Sequence, residues 1–154
     1  MKRNLLIIAL VLSVQFIFAQ NVKRPDTYNY NRGVEAIQNN NAEEALEYLN
    51  KELNDNPKNG YALAWIATVR KYQEEYGRAL TAVDLALKYI PKKDKQYMAF
   101  AYTVRSEVYV GLGEKDKALA DLSSAIKETP DDADVYEKRA NLYYYMHYWA
   151  LIPG

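Results

Sequence analysis

The chain has 154 residues, 20 Lys+Arg against 20 Asp+Glu, no cysteine and a single histidine. Balanced charge excludes the clustered positive surface that binding a phosphate backbone requires. The missing thiols exclude disulfides and lipidation at a cysteine, so stability has to come from packing.

The chain opens with a basic start, Met1-Lys2-Arg3. Leu5 to Val14 follows without charge and with Ser13 as its one hydroxyl, and the stretch closes on Phe16-Ile17-Phe18-Ala19-Gln20. Basic start, apolar middle and small-residue exit predict a secretory signal peptide over 1–19, cleaved after Ala19. A retained membrane anchor is the rival reading, but Leu5 to Ala19 is shorter than the ~20 residues that span a bilayer. Cleavage removes Lys2 and Arg3, leaving 18 basic and 20 acidic residues, about −2. The expected location is the periplasm or the cell exterior, with no stable membrane span after cleavage. A short leader, 20–25, then leads into one domain, 26–149, followed by a tail, 150–154.

Beyond the leader the chain repeats itself. Ala45-Leu46 recurs as Ala79-Leu80 and Ala118-Leu119; Leu49, Val83 and Leu122 keep the same intervals, as do Pro57, Pro91 and Pro130. Gly33, Ala67, Ser106 and Ala140 form a second register, and Tyr102 and Tyr109 recur as Tyr136 and Tyr143. Every register agrees on a period of ~34 residues with one insertion near Asp94–Met98, the interval of stacked supersecondary units. Ala118, Leu119, Leu122, Ala125 and Ile126 trace one stripe of a 3.6-residue helix. Asn39-Asn40-Asn41, Gly77 and Gly111-Leu112-Gly113 are the expected breaks within units. The prolines stop each second helix, and Asp131-Asp132 is the expected cap of the helix after it. The run Lys92-Lys93-Asp94-Lys95 reads as a solvated turn. Gly33, Ala67, Ser106 and Ala140 are small where a first helix has to approach its partner, and Leu49, Val83 and Leu122 fill the space beside them.

With unit starts at Asp26, Gly60, Ala99 and Ala133, a small residue falls at position 8, alanine at 20, a large apolar residue at 24 and proline at 32. This pattern resembles the tetratricopeptide-repeat (TPR) family. The resemblance covers 26 to about 149, as repeats 26–59, 60–93 and 99–132 and a partial repeat 133–149. It implies an all-α fold, a right-handed helix-turn-helix superhelix (α-solenoid) of about seven antiparallel helices. The first repeat departs most, with Glu52 where alanine stands at position 27 and Ala36 at position 11. The fourth has only its first helix, and its chain ends Ala150-Leu151-Ile152-Pro153-Gly154.

Nothing in the sequence points to catalysis, a metal or a cofactor. His147 without a cysteine cannot form an ordinary zinc site, and its aromatic setting, Tyr143 to Trp149, suits a helix-terminal side chain. Asp131, Asp132 and Asp134 lack the glycine and distal glutamate of a calcium loop. What the resemblance implies is a protein–protein interaction scaffold, with the first helices lining a concave groove for an extended peptide or a partner helix. Its expected lining is Tyr30 and Val34, then Tyr61, Trp65 and Thr68, then Phe100, Thr103 and Glu107, then Asn141 and Tyr145. Trp65 and Phe100 read equally as groove anchors and as packing between neighbouring first helices. The clamp by which some TPR proteins grip a C-terminal carboxylate would fall on Tyr30, Val34, Trp65, Phe100 and Val104, none of which carries a charge. Alternatively the chain is the interaction domain of a larger exported enzyme or envelope-assembly protein. The aromatic last helix needs covering by a continuation of the chain, by a second copy through self-association, or by another envelope component.

Overall fold

A computed structural model describes residues 22–150, with side chains described as far as His147. The expected signal peptide, 1–19, and the tail from 151 lie outside the described residues, as do the side chains of Tyr148 and Trp149. The described residues form seven helices and no strand: α1 Tyr28–Gln38, α2 Ala42–Asp55, α3 Gly60–Tyr72, α4 Tyr76–Tyr89, α5 Lys95–Gly111, α6 Lys115–Glu128 and α7 Ala133–Ala150. Helices α1 and α2, α3 and α4, and α5 and α6 pair as hairpins, each hairpin stacks on the next, and α7 packs on α6.

Side-chain caps start the helices other than α4 and α6, whose preceding Glu75 and Glu114 make no capping hydrogen bond. Asn41 Oδ1 accepts from Glu44 N, Asn59 Oδ1 from Tyr61 N and Ala62 N, and Asp94 Oδ1 from Tyr97 N, each satisfying amides that a helix start leaves open. The expected cap before α7 is present, with Asp132 Oδ1 accepting from Asp134 N at 3.1 Å. Within each hairpin the chain turns through one left-handed residue, Asn40, Glu74 and Gly113, with φ of 58°, 60° and 77°. The following amide reaches back to the first helix, Asn41 N to Ala36 O, Glu75 N to Arg70 O and Glu114 N to Tyr109 O, which is the Schellman closure. Gly77, expected to be a break, instead lies inside the first turn of α4. The turn beside it is made by Gln73, Glu74 and Glu75, so here glutamate takes the left-handed position.

The seam residues of both helices are buried. Ala45, Ala79 and Ala118 are 0% exposed, Leu49 and Val83 are 0%, and Ala67 faces them at 0%. One core runs from Tyr30 in α1 to Val104 in α5, and a second joins Ala99, Ala118, Leu122 and Ala125 to Val135 and Leu142 of α7. Burial of this kind stabilises each unit mainly through its neighbours.

Two departures from the repeat pattern turn out to be polar knots. Glu52, where alanine is usual, is 1% exposed. It accepts from Thr27 Oγ1 at 2.5 Å, Asn56 Nδ2 at 2.9 Å and Asn59 Nδ2 at 2.8 Å, so its desolvation is offset by bonds from the segment before α1 and the loop after α2. The insertion adds a turn to the start of α5, which has 17 residues against 13 in α3. Asp94, expected in a solvated turn, is 1% exposed. Arg24 of the leader grips it through Nε at 2.9 Å and Nη2 at 3.0 Å, and Tyr61 Oη donates to it at 3.2 Å.

Candidate functional site: a groove across the first helices

The first helices α1, α3, α5 and α7 line a groove of about 420 Å³. Its floor is apolar, with Ile37 from α1, Trp65 and Val69 from α3, and Phe100 and Val104 from α5. Thr68 and Thr103 turn their hydroxyls back onto their own helices, to Ala64 O at 3.0 Å and Ala99 O at 2.9 Å, so both present methyl groups to the space. Helix α3 supplies so much of the floor because it has no solvated face over most of its length; Gly60 to Val69 is buried throughout.

The rim is polar. Glu107 bridges two lysines, taking Lys71 of α3 on Oε2 and Lys138 of α7 on Oε1, the latter at 2.6 Å. Burial alone would raise the Glu107 carboxyl, but the two ammonium groups outweigh it and hold it below the ordinary carboxylate value. Burial would lower Lys138, and Glu107 instead holds it above its ordinary value. Two cations sharing one anion leave the rim with one net positive charge, while Asn40, Tyr72 and Gln73 complete it with neutral groups.

Five of the ten expected groove residues meet here: Trp65, Thr68, Phe100, Thr103 and Glu107. Trp65 is 4% exposed and packs on Phe100 with ring centroids 4.8 Å apart; it lies between neighbouring first helices and offers only an edge to the groove. Its indole Nε1 donates to Tyr30 Oη at 3.2 Å, and that hydroxyl lies 3.0 Å from Tyr97 Oη. Tyr30 and Tyr61 are buried in this ring cluster, outside the groove lining. Burial, reinforced by Tyr97 for Tyr30 and by Asp94 for Tyr61, pushes both hydroxyls up, so they stay protonated and able to donate. Val34 packs against the core, and Asn141 and Tyr145 stand exposed on α7, away from the lining. Ile37, Val69, Lys71, Val104 and Lys138 were not among the expected ligand contacts. Lys71 falls at position 12 of its unit, Val104 and Lys138 at position 6 of theirs, all groove-facing positions in the family pattern, so the register already held the signal for these three.

No model of a known protein family and no curated protein matches the sequence. Solved structures do. The first TPR domain of Spaghetti (RPAP3), bound to the HSP90 peptide SRMEEVD, is 15% identical, with a TM-score of 0.69 over 77% of this chain and 90% of that one. The Arabidopsis OM64 TPR domain is 18% identical, with a TM-score of 0.67 over 74% and 90% of the two chains. A TPR repeats protein (BF2334) from Bacteroides fragilis is 22% identical, with a TM-score of 0.56 over 75% and 50%. The repeated register, the helix hairpins with a left-handed turn at one fixed position, and these neighbours together establish that the chain has the tetratricopeptide-repeat fold.

Proposed function

We propose that this protein is an exported, non-catalytic adaptor that holds an extended peptide or a partner helix in the groove across α1, α3, α5 and α7. The observation that carries this is an apolar floor, in which half-buried Phe100 lies beside the edge of Trp65 and buried Val104, beneath a rim of fixed polar groups. A concave apolar surface with a few convergent polar groups is what ligand binding uses. Phe100 is half-buried, the more open member of the Trp65–Phe100 pair, and is the anchor surface for a bulky apolar side chain. The rim's net positive charge favours neutral or acidic segments over basic ones. The RPAP3 neighbour, which holds an HSP90 peptide, supports a peptide ligand by analogy of fold. The ligand chemistry is this chain's own, because the uncharged set Tyr30, Val34, Trp65, Phe100 and Val104 gives no charged grip on a terminal carboxylate. Export rests on the basic, apolar and small-residue pattern of residues 1–19; mass spectrometry of the cell-derived protein should find it beginning at Gln20.

Selection from a displayed library of random linear peptides tests the groove. Peptides enriched on the wild-type protein should share a bulky apolar residue and lose at least about tenfold in affinity for Thr103→Trp, which fills the floor. Enriched peptides that bind the filled variant equally well would place recognition elsewhere.

A further inference from the structure

We propose that the outer face of α7 is a second docking seam, independent of the groove, and that it takes an amphipathic helix of another polypeptide bearing the same stripe as α6. The reason is an internal duplication. In α5, Tyr102, Arg105, Ser106 and Tyr109 form the face that α6 covers. Tyr102 and Tyr109 pack against the Ala118, Leu122 and Ala125 stripe, and Ser106 is 2% exposed beneath it. Arg105 lies over both tyrosine rings, 5.7 and 5.8 Å from their centroids, and grips Asp121 of α6 through Nε at 2.7 Å and Nη2 at 2.8 Å.

Helix α7 repeats that face 34 positions later as Tyr136, Arg139, Ala140 and Tyr143. The flank beside it is already used: Val135 and Leu142 are 3% and 8% exposed in the core shared with α6. The duplicated side stands open, with Tyr136 42% and Tyr143 48% exposed and Ala140 exposed between them. Arg139 repeats the stacking of Arg105, 5.5 Å over Tyr136, yet its hydrogen bond is one long contact of 3.4 Å to Ser123 Oγ. The α5–α6 interface therefore continues onto α7 in its two tyrosines, its stacked arginine and its small residue, although Asp84, which also holds Arg105 at 2.7 Å, has Ser123 as its counterpart beside Arg139; among the described residues no helix covers this face. The chemistry of the occupant follows from α6: an alanine against Ala140, an aspartate for Arg139, a leucine next to that aspartate and a second alanine three residues on. A carboxylate in the bidentate grip of an arginine supplies the specificity.

The test uses the full chain and a labelled peptide of residues 115–128, locked as a helix by a cross-link between positions 116 and 120. Both positions point outward on α6. Binding should perturb the amides of Tyr136, Ala140 and Tyr143. The Asp121→Asn peptide should bind about tenfold more weakly, as should the wild-type peptide to Arg139→Gln protein. Combining the two changes should cost no more than either alone. Ala140→Trp, at an exposed site that leaves the melting temperature unchanged, should abolish binding. Absence of binding at millimolar peptide, affinity indifferent to Arg139→Gln, or concentration-dependent dimers of the chain that protect Tyr136 and Tyr143 would overturn the proposal.

Discussion

Gly33 and Leu49 are in contact so close that a methyl group on Gly33 would sit 2.6 Å from Leu49 Cγ. Leu49 is 0% exposed and has nowhere to retreat. Gly33→Ala is therefore expected to cost about 1–3 kcal/mol through overpacking. The second unit solves the same contact with Ala67 and the smaller Val83, both fully buried. Adding Leu49→Val to Gly33→Ala should recover at least half of the loss, although Leu49→Val alone costs about 1 kcal/mol. Urea unfolding of the four proteins reads this coupling directly, and strict additivity would disprove it.

The Lys71–Glu107–Lys138 bridge makes a pH-dependent contribution with a known sign. Glu107 is held below its ordinary value, so its stabilisation is complete above the unfolded carboxylate value of about 4.3 and is lost as pH falls through the folded one. Lys138 is held above its ordinary value, so its share is complete below about pH 10.4 and is lost as pH rises further. Thermal melts from pH 2 to 7 should show a fall in the stability difference between wild type and Glu107→Gln at the acid end. A constant difference across that range would show that the bridge does not titrate with folding.

Arg24 stands outside the repeats yet grips Asp94, which is 1% exposed. Arg24→Ala would strip a buried carboxylate of its cationic partner while Tyr61 and the Tyr97 amide remain, at a cost of about 3 kcal/mol. Asp94→Asn added to it should restore part of the loss by removing the stranded charge. The mean residue ellipticity should stay near wild type at low temperature while the melting midpoint drops. A midpoint unchanged by Arg24→Ala would mean that the leader contributes nothing to the fold.

The seam was legible because each of its requirements is local. A small residue at position 8 and alanine at 20 are dictated by one helix crossing, and that crossing recurs, so self-alignment of the sequence exposes Ala45, Ala79 and Ala118 without any knowledge of distant contacts. Asp94 was not legible, since a carboxylate among three lysines has the composition of a solvated turn; its burial depends on Arg24, 70 positions away. Glu52 looked like a flaw in the first repeat for the same reason, its partners Thr27, Asn56 and Asn59 being set by the fold. Gly77 misled because glycine usually marks a break, while the left-handed turn was taken by Glu74, held by the closure from Glu75 N to Arg70 O. In the groove, the register brought only five of the ten expected residues to the lining, and which aromatic would be sealed and which left open was not legible. That depends on the hydroxyls of Tyr30 and Tyr97 meeting in the interior and drawing the Trp65 indole in behind them.

A stack in which every unit touches only its neighbours can shed its end units one at a time, like carriages uncoupled from a train. The Arg24–Asp94 clasp changes that connectivity, since it joins the segment before the first helix to the opening of the third hairpin and bypasses the second. The first unit cannot peel away without also breaking its bonds to the third, so α1 through α5 should open more cooperatively than the chain of neighbours alone would allow, and among the described helices α7 is where exchange with solvent should begin.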